Sequence, residues 1–453
     1  MKTTSLLTAL ASLIFFCQPL AAQDPGGAPR VPGIVIQFIG NEAAAAEPFI
    51  EAELDAHLRK RVAPQVLSER LQTLRGLLEN YSLDEVFPEG PRCAGMVFES
   101  PQGDLATLLV TWNDQSPGRI TDLWIEAGFR LDPDAAPEVL PAPLTWENLK
   151  ARMQLEVEAG FAGSLLIVRD GKVKWNEGYG MANREEQIAC TPKTIYAVGS
   201  VPIDFTKAAI LLLIQDELVD YDQPLTDFFE DVPGDKQSIT LGHLMGGQSG
   251  LQDFLGLPSD SDIDHHWIDR EEAIRRIMAH ELLFKPGTER RHSHAAWGLV
   301  AAIVELVSGL SYQEFTQEML FAPAGMLDTG FYGEPIPKER LAIGYGSLSS
   351  GERNAPPYWG PTSWLVLGSG GMTSTTGDLY RWQVALRKGL ILSPQSARRY
   401  WSGGGVLSAG DSYGFEVNYT EEPERLFVLL SNAIEGPMRR RFNRLGRELL
   451  RLP

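Results

Sequence analysis

Ser200 is the residue of this 453-residue sequence whose surroundings best suit nucleophilic chemistry. It follows Gly199 and precedes a long apolar run, residues 205–213, whose spacing predicts a buried helix with a wide apolar face. A Ser at a helix N-terminus makes a good N-cap, and the backbone N–H groups there also suit a nucleophilic oxygen. One helical turn further on stands Ile203, which can neither accept a proton nor carry a charge.

Two histidines, His292 and His294, flank Ser293 immediately before a second apolar stretch, residues 297–308, which we predict to be helical. A neutral imidazole is a well-matched general base near neutral pH, so one hypothesis pairs His292 with Ser200 as a catalytic dyad. The alternative is that both imidazoles fill a cleft and hydrogen-bond to each other or to water.

Two charged residues of the first predicted helix are further candidates for handling protons. Asp204 is adjacent to Ile203 and is a candidate for orienting His292. Lys207 is seven residues after Ser200 and so nearly on the same helix face, but it starts about 10.5 Å further along the axis. A surface or ion-paired lysine is the alternative interpretation of Lys207.

The sequence around Ser200 resembles the nucleophile helix of the penicillin-recognising serine hydrolases, a family of class C β-lactamases, DD-peptidases and related esterases. The residues that carry this resemblance are Gly199, Ser200, Phe205, Thr206, Ala208, Ala209, Ile210 and Leu211. Further landmarks of the family follow in the same order between residues 146 and 453. They are the Gly-Tyr-Gly at 178–180, residues 218–225, residues 249–251, residues 323–326 with Thr329, and residues 368–375 with Asp378, Leu379 and Trp382. Gly247 and Gln248 depart from the family's His and Thr.

The resemblance implies three catalytic elements, and this sequence departs from the family in each. A Lys three residues after the nucleophile would activate its hydroxyl, but that position is Ile203. A Tyr-x-Asn element would supply a second proton acceptor and an orienting amide, but it aligns with His292-Ser293-His294. A Lys/His-Thr/Ser-Gly strand would supply a cation and an oxyanion-hole amide, but it aligns with Ser402-Gly403-Gly404. The catalytic candidates are therefore Ser200, His292 and His294, and the predicted cleft residues are Ile203, Ser293, Ser402, Gly403 and Gly404.

These departures leave two functional hypotheses. An unactivated Ser is a poor nucleophile at neutral pH, and removing one residue of a catalytic unit costs several powers of ten in rate in other serine hydrolases. The first hypothesis is a catalytically impaired, β-lactamase-related protein that binds a peptidoglycan-like or small ester or amide ligand, or a protein partner. The alternative is an active esterase, peptidase or β-lactamase-like hydrolase in which His292 serves Ser200 as a rewired base. We predict no cofactor in either case.

The predicted fold class is α+β, in two domains. Residues 143–453 should form a β-lactamase/DD-peptidase-like antiparallel sheet flanked by helices, with a mostly helical lobe at about residues 215–360. Residues 31–142 predict a small α+β domain that loosely resembles cystatin-like domains. In that domain, helix-like apolar spacing at 49–78 precedes strands at 93–99, 105–112 and 120–126, and residues 34–38 are predicted as a further strand.

The first 22 residues predict export. They combine Lys2, an apolar run at 6–16 and a small-residue cleavage site, as is typical of a signal peptide. We therefore predict a secreted protein, located in a bacterial periplasm, with a flexible segment at 23–30. No stretch is long and apolar enough for stable membrane insertion, and the net charge of -19 argues against nucleic acid and anionic membranes as partners.

Cysteines and a histidine-rich loop offer two further possibilities. Cys93 and Cys190 could form a disulfide in an oxidising compartment, although they fall in different predicted domains, and two free thiols are the alternative. A metal site is a third functional class, but its candidate ligands lack the spacing of a known metal motif, so we prefer an exposed acidic loop and predict no metal. Those ligands are His265 and His266 with Asp260, Asp262, Asp264 and Asp269.

Overall fold

The structure of the protein is a computed structural model. It describes residues 30–40, 45–56, 59, 64–78, 81–90, 93–99, 105–112, 118–127, 144–252, 267–345, 354–402, 408–410, 415–419, 425–434 and 438–452. The chain divides into two compact units, residues 1–141 and residues 142–453, and each is described by itself.

The N-terminal unit combines helices with a four-stranded antiparallel sheet. In chain order these are α1 Arg30–Gly40, α2 Ala46–Glu53, α3 Pro64–Leu78, β1 Ser82–Gly90, β2 Cys93–Glu99, β3 Leu105–Trp112 and β4 Ile120–Ala127. The strands pair in the order β1-β2-β3-β4, so each strand lies beside its neighbour in sequence. Apolar side chains from the helices and from one sheet face form a core of their own, which includes Phe38, Leu71 and Met96.

Most of the predicted strands of this unit are confirmed, but residues 34–38 are helical. They belong to α1, so their assignment to a strand was wrong. Val31, Val35 and Phe38 follow one another at spacings of four and three residues, and all three are buried. That spacing is the helical period, which outweighs the β-propensity of the branched side chains.

The C-terminal unit contains the remaining elements. In chain order they are α4 Leu149–Glu158, β5 Gly163–Arg169, β6 Lys172–Tyr179, β7 Met181–Asn183, β8 Ile188–Ala189, β9 Tyr196–Ala197, α5 Pro202–Gln215, α6 Leu241–Met245, α7 Arg270–Ala279, α8 His294–Ser308, α9 Tyr312–Thr316, a π-helical turn Gln317–Phe321, α10 Ala322–Ala324, β10 Gly330–Phe331, β11 Met372–Ser374, α11 Thr376–Arg387, α12 Pro394–Ser402, β12 Ser408–Gly410, β13 Glu416–Tyr419, β14 Phe427–Ser431 and α13 Met438–Arg451.

A five-stranded antiparallel sheet organises this unit. Its strand order is β12-β13-β14-β5-β6, so the first hairpin of this unit, β5-β6, pairs with strands from near the end of the chain. A second, three-stranded sheet, β10-β11-β9, holds the segment that leads into α5. The helices α6 to α10 lie between α5 and β11 in the chain, which matches the predicted helical lobe.

The helix α5 lies at the centre of the larger unit. Every residue from Pro202 to Leu213 is buried, including those with polar or charged side chains. Helix α8 is similarly buried from Ala295 to Val304 and belongs to the same apolar core. A helix that is apolar on nearly all sides is expected to be covered on all sides, as these two are.

No single helix among the described residues is long and apolar enough to cross a bilayer. One sharply bent pair, His294–Ser308 with Tyr312–Ala324, reaches that length and composition together.

Gly163 provides a test of the sheet packing. A Cβ atom at this position would lie 2.0 Å from the carbonyl oxygen of Leu430, on the paired strand β14. We expect Gly163→Ala to push β5 and β14 apart and to lower the free energy of unfolding by about 1–3 kcal/mol. Thermal and urea unfolding measure this change. Gly234→Ala is the matched control, since a Cβ there meets no atom within 4 Å, and an equal loss in both variants would contradict the packing argument.

Candidate functional site

Ser200 lies in a tight turn between β9 and α5. The turn is fixed on its N-terminal side, where the Val198 N–H donates to the carbonyl oxygen of Met372 at 3.1 Å. Gly199 adopts φ of +52°, in the left-handed region that favours Gly. On the C-terminal side, the Ser200 carbonyl accepts a hydrogen bond from the N–H of Ile203 at 3.1 Å. The backbone therefore holds the Ser200 side chain at the start of the buried helix.

Ser200 is not the N-cap of α5, and that expectation was wrong. The helix begins at Pro202, and Val201 occupies the N-cap position with no side-chain hydrogen bond. Proline at the first helical position has no N–H, which leaves one unpaired donor fewer at this end of the helix. The hydroxyl of Ser200 makes a different contact, with a residue of α8.

That contact joins Ser200 to a histidine. The Oγ atom of Ser200 lies 3.2 Å from Nε2 of His294, the first residue of α8. Ser293 is the N-cap of this helix, and its hydroxyl accepts from the N–H of Ala296 at 3.3 Å. The ring of His292 packs edge-on against that of His294, with 4.6 Å between the centroids. The structure thus brings Ser200 together with both predicted histidines.

The histidine that contacts Ser200 is not the one expected. Alignment with the Tyr-x-Asn element gave the base role to His292, yet the hydrogen-bond partner of Ser200 is His294. Helix α8 begins at His294, and Ser293 immediately before it is extended, with φ of -147° and ψ of 119°. His292 is exposed, whereas His294 is partly buried beside Ser200. The candidate base is therefore His294.

The position expected to hold a catalytic Lys is apolar and filled. Ile203 is 6 % exposed and belongs to the main core of the unit. Asp204 is 1 % exposed and accepts a hydrogen bond from the hydroxyl of Tyr419 on β13. Lys207 is 8 % exposed, and its ammonium lies 4.8 Å from the centre of the Tyr400 ring on α12. Both charged side chains of α5 are therefore engaged with elements packed on the helix.

The loop that leads into β11 packs against the first turns of α5. A Cβ atom at Gly370 would lie 2.8 Å from Cγ2 of Val366 and 3.2 Å from the carbonyl oxygen of Gly199, so a larger residue would require these neighbours to shift. The Thr206 hydroxyl lies 2.6 Å from the Gly368 carbonyl oxygen and 2.5 Å from the Tyr312 hydroxyl. Complete burial raises the pKa of Tyr312, which keeps its phenol neutral.

The predicted third element requires a correction. Ser402 is the last residue of α12, and its hydroxyl donates to the Arg399 carbonyl oxygen at 2.9 Å, so it does not belong to a strand. Gly403 and Gly404 lie outside the described residues. The next described strand is β12, at the edge of the five-stranded sheet, and its sequence, Ser-Ala-Gly, contains no cation.

The structure describes Cys190 and one of the candidate metal ligands, Asp269. Cys190 is a free, buried thiol whose Sγ atom is 3.8 Å from Oδ1 of Asn432, and burial raises its pKa to about 11. Of the two alternatives for Cys190, the free thiol is therefore the one observed. The described residues contain no group of three or more His, Cys, Asp or Glu side chains that could hold a metal ion. His265 and His266 lie outside the described residues, and Asp269 caps α7 by accepting from the Glu272 N–H.

Comparison with known proteins decides the family. The beta-lactamase family model matches residues 149–423, which is more than half of the chain. The chain belongs to the beta-lactamase family. The predicted resemblance to penicillin-recognising serine hydrolases and the predicted fold class are thereby confirmed.

Curated members similar to this chain include penicillin-binding proteins and a peptidase. A putative penicillin-binding protein PbpX of Bacillus subtilis is 28 % identical over 295 residues, covering 61 % of this chain and 71 % of the relative. A D-aminopeptidase of Gluconobacter oxydans is 30 % identical over 307 residues, covering 64 % of this chain and 56 % of the relative. Penicillin-binding protein 4* of Bacillus subtilis is 28 % identical, and the match covers 61 % of its length.

Solved structures share the fold of this beta-lactamase-family chain. The D-amino acid amidase of Ochrobactrum anthropi superposes with a TM-score of 0.55 at 22 % identity, over 67 % of this chain and 98 % of the amidase. A penicillin-binding protein from Bacillus halodurans gives a TM-score of 0.52 at 21 % identity, over 66 % of this chain and 97 % of that protein. At such identities the likeness establishes the fold alone.

The contact between Asp204 and Tyr419 is one that the sequence could not reveal, because 215 residues separate the two. We expect Tyr419→Phe to remove a hydrogen-bond donor from a buried carboxyl group and to destabilise the protein by about 1–3 kcal/mol in urea unfolding. Tyr380→Phe is the control, since the half-buried Tyr380 ring packs against the same core. A loss for Tyr419→Phe no larger than that for the control would mean that the buried pair contributes nothing to stability.

Proposed function

We propose that this protein is an exported, non-catalytic member of the beta-lactamase family that binds a ligand or a protein partner through the cleft beside Ser200. The observation that carries the proposal is the buried apolar side chain of Ile203. A hydroxyl next to this side chain has no charged or basic group one helical turn away to activate it. The fold is kept, while the chemistry that depends on a Lys at this position is lost.

The neighbouring charges of α5 do not compensate for this loss. Asp204 is held by Tyr419, and the Lys207 ammonium lies over the Tyr400 ring, two turns along the helix from Ser200. Bringing either charge to the cleft would require moving a buried group through the packed core, which costs several kcal/mol. These contacts support a binding role for the cleft rather than a relocated catalytic centre.

Export and ligand class are parts of the same proposal. The signal-peptide pattern of residues 1–22 supports secretion, which in a Gram-negative bacterium would place the protein in the periplasm. Similar proteins named penicillin-binding proteins and a D-aminopeptidase support a peptidoglycan-like peptide, or a small amide or ester, as the ligand. The acidic net charge of -19 makes nucleic acid an unfavourable partner.

A serine hydrolase is the second candidate, and the hydrogen bond between Ser200 and His294 favours it. In such an enzyme, Nε2 of His294 would take the hydroxyl proton as Oγ of Ser200 attacks a carbonyl carbon. The imidazolium would then give that proton to the leaving group, and water would hydrolyse the acyl-enzyme. However, the imidazolium would form at the N-terminus of the 15-residue helix α8, where the helix dipole opposes a positive charge.

Covalent labelling separates the two functions. We expect that neither a fluorophosphonate nor a fluorescent penicillin forms a stoichiometric adduct with the full-length mature protein, measured by intact mass spectrometry over several hours. An active member of the same family provides the positive control for each reagent. An adduct that disappears in Ser200→Ala and forms more slowly in His294→Gln would replace the proposed binding role with the hydrolase.

A further inference from the structure

The N-terminal unit buries two hydrogen-bond donors for which its described residues provide no acceptor. Trp112, the last residue of β3, is 5 % exposed, and its indole Nε1 atom is buried without a hydrogen-bond partner among the described residues. The Nε atom of Arg59 is buried in the same way. Buried donors in proteins are nearly always paired, because removing a donor from water without an acceptor costs free energy. An acceptor from outside the polypeptide would satisfy both donors.

Both donors belong to residues at one backbone junction, where the segment after α2 meets the start of β4. The Asp55 N–H donates to the Ile120 carbonyl oxygen at 2.8 Å, and the Arg59 N–H donates to the Asp55 carbonyl oxygen at 3.1 Å. Trp112 is the residue of β3 that pairs with Ile120. The partly buried Arg119 immediately precedes Ile120 in the chain. The topology thus brings one tryptophan and two arginines to the same end of the four-stranded sheet.

The junction is built into the apolar core of this unit. Trp112 and Ile120 belong to that core together with Leu54, which forms a parallel bridge to Ile120. The pairing of β3 with β4 shifts register between Thr111 and Trp112, and irregularities of this kind change the direction of a side chain. Electrostatic attraction is stronger in an apolar setting than in water. A ligand at the junction would therefore combine a polar or charged group with an apolar body.

We propose that Arg59, Trp112 and Arg119 form a binding site in the N-terminal unit for a small carboxylate with an apolar body, such as a medium-chain fatty acid. An indole N–H can only donate a hydrogen bond, and guanidinium N–H groups donate to both oxygens of a carboxylate. The Asp55 carboxyl group offsets one of the two arginine charges, which leaves a formal charge of one for the ligand. The site lies in a different unit from Ser200, so this inference does not depend on the function proposed for the cleft.

Isothermal titration calorimetry of the full-length mature protein at pH 7 and low salt tests this site. Octanoate is the probe, and 1-octanol is its uncharged counterpart. We expect octanoate to bind about 10-fold or more tightly than octanol, and Arg59→Gln and Trp112→Phe each to weaken octanoate binding by about 10-fold. Arg398→Gln and Trp267→Phe are the matched controls, since they change an exposed arginine and an exposed tryptophan of the larger unit, and they should leave the affinity unchanged.

Equal affinity for octanoate and octanol in the natural protein would overturn the proposal without the need for any variant. Unchanged octanoate binding in Arg59→Gln and Trp112→Phe, or an equal loss in the two controls, would also overturn it. Circular dichroism and the melting temperature show whether each variant is folded. Arg59→Lys keeps the charge and should retain more of the affinity than Arg59→Gln, a difference that a merely structural role of Arg59 would not produce.

Discussion

Complete burial of the first three turns of α5 is the constraint on which the larger unit depends. A helix without an exposed face must satisfy each of its polar side chains inside the protein, because an unpaired buried group costs about 1–3 kcal/mol or more. Thr206 meets this requirement with Gly368 and Tyr312, while Asp204 does so with Tyr419. These contacts connect the helix to the β11 side of the cleft, to the lobe and to the five-stranded sheet.

The same constraint fixes the cleft. The turn that carries Ser200 is continuous with the buried helix on one side and with β9 on the other, so its position is set by the core. Ile203 fills the space one turn below the hydroxyl with an apolar side chain. The turn therefore places Ser200 beside an apolar side chain, and the hydrogen-bond partner of its hydroxyl is His294, at the start of α8.

The sequence predicted the features that depend on local pattern. The structure confirms the helix predicted from the apolar run of α5 and the strands predicted at 93–99 and 105–112. These elements were predictable because the spacing of their apolar residues indicates both the type of element and its buried face. Family landmarks also placed Ser200 and the histidine segment in one cleft. The buried state of Ile203 follows from the same pattern.

Features set by tertiary contacts were not predictable in this way. The choice between His292 and His294 depends on where α8 starts, which the cap at Ser293 determines. Ser402 was assigned to a strand because small residues follow it, yet it ends the helix α12. The pairing of Asp204 with Tyr419 has no local signal in the sequence, since the two residues meet only after the sheet forms.

The central claim is that the apolar residue at position 203, with the altered histidine segment, makes this protein the non-catalytic family member that we propose. The most direct measurement is the rate of Ser200 acylation by a p-nitrophenyl ester in three proteins: the natural one, Ile203→Lys, and Ile203→Lys with His292→Tyr and His294→Asn. An ammonium buried without its partners costs several kcal/mol, so the single variant should melt at a lower temperature and stay nearly inactive. The triple variant should be acylated about 100-fold faster than the natural protein. If the natural protein is acylated as fast as the triple variant, the account is contradicted.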